Sequence, residues 1–185
     1  MDKALPDILR KAAEKEKRLL ITLDGPCASG KTTLARALAQ ELNAFVVHTD
    51  DFVVPHAQKT PERLAIPGGN CDAERLLREV IIPWKQGQTP VFQRYDFHHD
   101  CLLPPETPSP DHHVLFLEGS YCNLPCIRPY ADLRLFMTTP EETRLERLRR
   151  RESPASLQLF HDRWIPLENA YFAAYGLPDD GCILV

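Results

Sequence analysis

Apolar residues along the chain fall into short, nearly unbroken runs, separated by charged stretches with helical spacing. Leu19-Leu20-Ile21-Thr22-Leu23 is such a run and ends at a glycine-rich turn, the pattern of a strand covered on both faces in a parallel sheet. Beyond the turn, Leu34, Leu38 and Leu42 recur every four residues among good helix formers, which predicts a helix with one buried stripe over Lys31 to Leu42. Phe45-Val46-Val47 predicts a second short strand, with the charged segment His48-Thr49-Asp50-Asp51 at its carboxyl end. From Asp72 to about Trp84, the residues Leu76, Leu77, Val80, Ile81 and Trp84 mark one helical face, and Asp72 is placed to cap it. Val114 to Leu117, followed by Glu118-Gly119, predicts a third buried strand, Leu133 to Met137 a fourth and Cys182 to Val185 a last. Thr139-Pro140-Glu141-Glu142 sets a Thr at N-cap and a Pro at the first helical position, predicting a helix from Pro140 to about Arg151. Ser156 to Tyr175 is also helical in pattern, and Pro166 must kink or split it. At the start, Ile8, Leu9 and Ala12 among the charges of Asp7 to Lys17 predict a short amphipathic helix within an N-terminal extension, residues 1–18. The Pro-rich stretch Pro104 to Pro110 reads as a loop. Strands alternating with helices indicate an α/β fold with a mainly parallel sheet, in one domain over residues 1–185.

Composition narrows the function classes. The 185 residues are 43% hydrophobic and 26% charged, ordinary for a globular chain. A net charge of -4, with Arg144 to Arg151 as the one dense basic run, gives no stripe for nucleic acid, and no nucleic-acid partner is expected. The six cysteines include no Cys-x-x-Cys pair, and Cys27 sits inside the glycine-rich turn, which fits a reducing cytoplasm better than a disulfide framework. Neither a signal-peptide core nor a run of eighteen apolar residues is present, so no membrane association is expected.

The chemistry concentrates at the ends of the apolar strands. Gly25-Pro26-Cys27-Ala28-Ser29-Gly30-Lys31-Thr32 has a Gly, four residues, then Gly-Lys-Thr, between a predicted strand and a predicted helix. In that context the glycines let backbone N–H groups turn inward onto phosphates and the helix N-terminus adds positive dipole. Gly25, Ala28, Ser29, Gly30, Lys31, Thr32 and Thr33 are therefore the candidates for holding ATP. Lys31 would reach the β- and γ-phosphates and the Thr32 hydroxyl would face Mg²⁺. Glu118 ends a buried strand, a position from which an acid can be presented to the metal. One of Asp50 and Asp51 is a candidate base for a substrate hydroxyl, because adjacent side chains on a strand point in opposite directions. At the end of its helix Arg151 is best placed to lie over a transferring phosphoryl group. His98, His99 and Cys101 lack a partner group at zinc spacing and read as a polar loop, and Cys122 and Cys126 read as small buried residues.

Taken in order, GPCASGKTT (25–33), HTDDF (48–52), NCD (70–72), RYDF (94–97), LEGSY (117–121) and RLERLRRRE (144–152) resemble the uridine kinase and phosphoribulokinase group of P-loop kinases, nicotinamide riboside kinases included. The resemblance spans about Leu19 to Tyr175. It implies a five-stranded parallel sheet in the order 2-3-1-4-5 with a helical lid. It also implies that Asp50 activates the 5′-hydroxyl of a nucleoside or related riboside and stands near the metal with Thr32 and Glu118. Asp72 would bind the ribose hydroxyls, Tyr95 would line the nucleoside pocket, and Arg147 and Arg151 would close over the ATP phosphates. Ser153-Pro154-Ala155-Ser156 departs from the lid of uridine kinases, and RWIPLENAYF (163–172) is closer to riboside kinases. Two other readings stay open: a kinase for a pantothenate- or sugar-type alcohol, and a regulatory module that binds ATP without turnover.

Overall fold

The computed structural model describes residues 5–185; residues 1–4 of the expected N-terminal extension lie outside the described residues. The elements run α1 (Leu5–Lys15), β1 (Leu19–Asp24), α2 (Lys31–Leu42), β2 (Ala44–His48), α3 (Pro61–Ala65), α4 (Ala73–Leu76) and α5 (Ile82–Lys85). Then come β3 (Phe92–Asp96), β4 (Cys101–Glu106), β5 (Val114–Glu118), β6 (Leu133–Phe136), α6 (Glu141–Arg151), α7 (Pro154–Leu159), α8 (Ile165–Tyr175) and β7 (Cys182–Leu184). The main sheet has five parallel strands in the order β2-β5-β1-β6-β7. This numbering differs from 2-3-1-4-5 because β3 and β4 form a separate antiparallel hairpin; the sheet's own strands, counted alone along the chain, run 2-3-1-4-5.

The two faces of the sheet follow from side-chain alternation. Leu19, Ile21 and Leu23 of β1 pack with Val114 and Phe116 of β5 against α1 and α2 through Leu9, Ala35 and Leu38. Leu20, Leu115 and Leu117 face the other way, onto Leu76, Val80, Ile81, Trp84 and Tyr171. Every residue of β1 and β5 is buried. Trp84 is fully buried and its indole N–H donates to the Leu19 carbonyl at 3.2 Å, fixing this helix to the strand that enters the glycine-rich turn. Trp84→Ala should therefore cost about 3–5 kcal/mol of stability, read as a lower urea midpoint. A change under about 1 kcal/mol would contradict this packing.

Several elements depart from the expected ones for local reasons. The helix expected from Asp72 to Trp84 contains a π-helical turn, Leu77–Ile81, two residues before Pro83. A second π turn, Phe160–Trp164, stands two residues before Pro166. Proline lacks an N–H and crowds the preceding turn, and one widened turn lets the helix continue past it. The hairpin has no counterpart in the apolar pattern: Pro104 and Pro105 lie inside β4, and the irregular connection is confined to residues 107–113. Both strands of a two-stranded ribbon are edges, where a residue without a donor is tolerated. Helix α6 starts at Glu141 with Pro140 as its N-cap, because the Thr139 hydroxyl, expected to cap, instead donates to the Ser29 carbonyl at 3.0 Å. Cys126 is exposed, not buried; Cys122 is buried.

Candidate active site

The carboxyl ends of β1, β2 and β5 meet at one edge of the sheet, where ligands bind in open α/β folds. β1 leads directly into the glycine-rich loop, and α2 starts at Lys31. Gly25 adopts φ 139°, and a Cβ there would lie 2.5 Å from the Met137 carbonyl oxygen, so the turn requires glycine. The loop is gripped from outside by the start of the lid. Arg144 donates to the Cys27 carbonyl (3.3 Å), Arg147 to those of Ala28 (3.1 Å) and Ser29 (2.6 Å). Carbonyls held outward in this way leave a concavity suited to anions. Lys31, 7% exposed, curls over it, its ammonium donating to the Gly25 and Pro26 carbonyls at 2.8 and 2.9 Å. The Ser29 hydroxyl is buried with no hydrogen-bond partner among the described residues, an orphan that a phosphate oxygen would satisfy.

Parallel pairing sets the neighbours of Glu118. The register places His48 of β2 and Leu23 of β1 opposite Glu118 of β5. Glu118, 3% exposed, accepts from the Thr32 hydroxyl at 2.9 Å and contacts His48 Nδ1. Burial alone would raise the Glu118 carboxyl, but the hydrogen bonds from His48 and Thr32 outweigh it and hold it below its ordinary value. The bond to Glu118 in turn raises His48. Among the described residues no group of three or more His, Cys, Asp or Glu side chains is placed to hold a metal. Mg²⁺ asks for less: it keeps waters and takes one or two carboxylates with substrate phosphates, and Thr32 with Glu118 fits that donor set.

Asp50 lies on a 3₁₀ turn, Thr49–Phe52, not on the strand itself. Consecutive residues of such a turn point about 120° apart. Asp50 lines the cleft and Asp51 does not; the Asp51 carbonyl accepts from Arg75 at 2.9 Å. Gly119 makes room for this turn: a Cβ on it would meet Thr49 Oγ1 at 2.0 Å. Protein packed around the Asp50 carboxyl weakens its hydration and raises its pKa although the residue stays exposed to the cleft; Lys31 opposes, and Glu118 and Glu168 add to the rise. Desolvation pushes Asp51 up to about 6 against the pull of His48 and Arg94.

These groups share a cleft of about 1150 Å³ that runs from residues 27–34 past Asp50 and Glu118 to Phe97 and Trp164, with Arg147 and Arg151 on its wall. Asp72 and Tyr95 are not on that wall. Asp72 is the N-cap of α4 and its carboxylate accepts from Arg75 N (3.1 Å) and Nε (3.2 Å). Tyr95 is buried in the hairpin with its hydroxyl on Asp100.

The chain matches the AAA domain family over residues 21–163, a span that holds the loop, Asp50 and Glu118. The chain belongs to the AAA domain family. No curated protein matches it. A possible uridine kinase of Bacillus stearothermophilus has a similar structure, with TM-score 0.70, 23% identity, and 96% of each chain covered. A candidate fructose transport system kinase of Silicibacter sp. TM1040 gives TM-score 0.72 at 22% identity, covering 91% of this chain and 94% of that one. A candidate P-loop kinase with a circular permutation from Saccharomyces cerevisiae gives 0.73 at 13%, covering 97% and 96%. The fold is that of the P-loop kinases.

Two residues that support this AAA domain's loop have no role assigned from the sequence, although Glu168 lies within the segment 163–172. Glu168 of α8, 6% exposed, accepts from the Cys27 N–H (2.9 Å) and the Ser120 hydroxyl (2.5 Å). Asp24 is fully buried and accepts from Gly25 N–H, Asn123 N–H and the Tyr171 hydroxyl at 2.7, 2.9 and 2.7 Å. Burial pushes Asp24 up to about 6, against those hydrogen bonds and Lys31. The folded protein thus holds a proton that the unfolded chain, near 3.9, releases. Its stabilising contribution is full below about pH 4 and lost as pH rises through about 6. Across that window the wild type should lose stability relative to Asp24→Asn in urea titrations; a pH-independent difference would contradict the assignment.

Proposed function

We propose that the protein transfers the γ-phosphoryl of ATP to a hydroxyl of a small molecule, the 5′-hydroxyl of a nucleoside or related riboside. The observation that carries this reading is that Asp50 opens into the same cleft as Lys31, Thr32 and Glu118. A module that only senses nucleotide has no use for a carboxylate there. Lys31 and the loop N–H groups would hold the β- and γ-phosphates, and Arg147 and Arg151 would shield them from water. Thr32 and Glu118, with Asp50 nearby, would hold Mg²⁺, which supplies charge neutralisation for the phosphates. Asp50 would take the proton of the acceptor hydroxyl as its oxygen bonds to the γ-phosphorus. The bond from that phosphorus to the β-phosphate oxygen breaks, and ADP leaves with the electron pair. A raised Asp50 pKa lies nearer working pH and so suits a base.

Phe97 and Trp164 at the far end of the cleft offer apolar ring surface to a base. A second reading, a pantothenate- or sugar-type alcohol, is favoured by the position of Asp72, whose carboxylate is engaged by Arg75 away from the cleft. ADP release measured against nucleosides, nicotinamide riboside, pantothenate and sugars separates them. Release with ribosides is the expected result; silence on ribosides with turnover of another alcohol transfers the proposal to the second reading.

A further inference from the structure

The far end of the cleft holds a cation without a hydrogen-bond partner among the described residues. Lys59 follows the 3₁₀ turn His56–Gln58 and lines the cleft, facing the hairpin turn and the second π turn. Its ammonium lies 4.2 Å from the centre of the Phe97 ring and 5.9 Å from that of Trp164. Shut from water by these rings, it donates to no acceptor among the described residues. The neighbouring carboxylate that pulls on it, Asp100, is engaged by the Tyr95 hydroxyl and the His56 N–H. Arg163, stacked 4.9 Å from the centre of the Trp164 ring, adds a second positive charge beside it. Ring contacts return only part of what an ammonium loses with its hydration, and a buried charge with no hydrogen bond costs more than they return. The balance is visible in the amine, which desolvation first and Arg163 second push down to about 8.

We propose that Lys59 selects the acceptor, and that the acceptor is an alcohol bearing a carboxylate, which the Lys59 ammonium binds while Asp50 faces the hydroxyl. The inference rests on the kinase reading above and narrows it. A single ammonium between two rings suits a monoanion: it offers three donors and one charge, and the rings exclude the water that would compete. A phosphate dianion is commonly met by a fork of guanidinium donors or a helix N-terminus, and the guanidinium whose charge acts on Lys59, that of Arg163, is turned onto Trp164. The four-carbon stem of lysine lets the ammonium swing from the rings toward a ligand in the cleft. A neutral alcohol would leave the ammonium as it stands, unpaired, and lose the discrimination that a buried polar group supplies.

Matched alcohols that differ in the carboxylate test this: glycerol against glycerate, uridine against orotidine, and pantetheine against pantothenate, each assayed for acceptor-dependent ADP release. The wild type should turn over the carboxylate member of at least one pair with kcat/KM about tenfold or more above its neutral partner. Lys59→Met, which keeps the packing and removes the charge, should erase that ratio mainly through KM of the acid, and Lys59→Arg should retain most of it. Equal or better turnover of the neutral members, or an unaltered ratio in Lys59→Met, overturns the inference, leaves the kinase reading standing, and makes Lys59 a clamp between the hairpin and the lid. Silence on all six alcohols also overturns the inference, while the kinase reading is decided by turnover on the wider panel of nucleosides, nicotinamide riboside and sugars.

Discussion

Asp50→Asn is expected to lower turnover about 10²–10⁴-fold while KM for ATP stays close to the wild-type value, as measured by initial rates with a saturating acceptor. Asp50 lies on the turn after β2, held in place by the Thr49 hydroxyl donating to the Ser120 carbonyl at 2.8 Å. It touches the cleft and makes no hydrogen bond to the phosphate loop, so its loss removes a proton acceptor and leaves the anion site intact. An asparagine has nearly the same size and cannot take a proton. A fully active Asp50→Asn enzyme would remove Asp50 from the chemistry.

Lys31→Ala should be more severe, because it acts on donor binding and on turnover together. The ammonium rests on two loop carbonyls, Gly25 and Pro26, and would exchange those contacts for phosphate oxygens. One charge placed on a developing phosphate charge is worth about 10²–10³-fold in rate, and loss of ground-state binding adds a rise in the ATP dissociation constant. Calorimetric titration with ATP and rate measurement on the same sample separate the two effects. Normal ATP affinity in Lys31→Ala, with the fold retained, would contradict the role given to the loop.

What could be read from the sequence divides along local and non-local lines. The boundaries of α2 (Lys31–Leu42) match those read from its leucine spacing, and β1 and β5 appear where the apolar runs place them, since period and propensity act over a few residues. The glycine loop was legible for the same reason: glycine, lysine and threonine at fixed spacing leave a signature within eight positions. The hairpin was not, because β3 and β4 are held by pairing across residues 92–106 and β4 carries two prolines. Tertiary contacts also redirected single side chains. Thr139 spends its hydroxyl on Ser29 rather than on its own helix. Glu168 reaches Cys27 from 141 residues away in sequence, a distance over which no spacing rule operates. Lys59 shows neither its ring contacts nor its missing partner until residues 59, 97 and 164 come together.

The central claim is that γ-phosphoryl passes from ATP to a carbon-bound hydroxyl, and phosphorus NMR follows that group directly. With enzyme, Mg²⁺, ATP and the panel of ribosides, sugars and hydroxy acids, the account predicts a phosphate monoester resonance growing in step with ADP. The same sample prepared with Asp50→Asn should show little of it. Intact ATP with every alcohol, or ADP accompanied only by inorganic phosphate, would contradict the account.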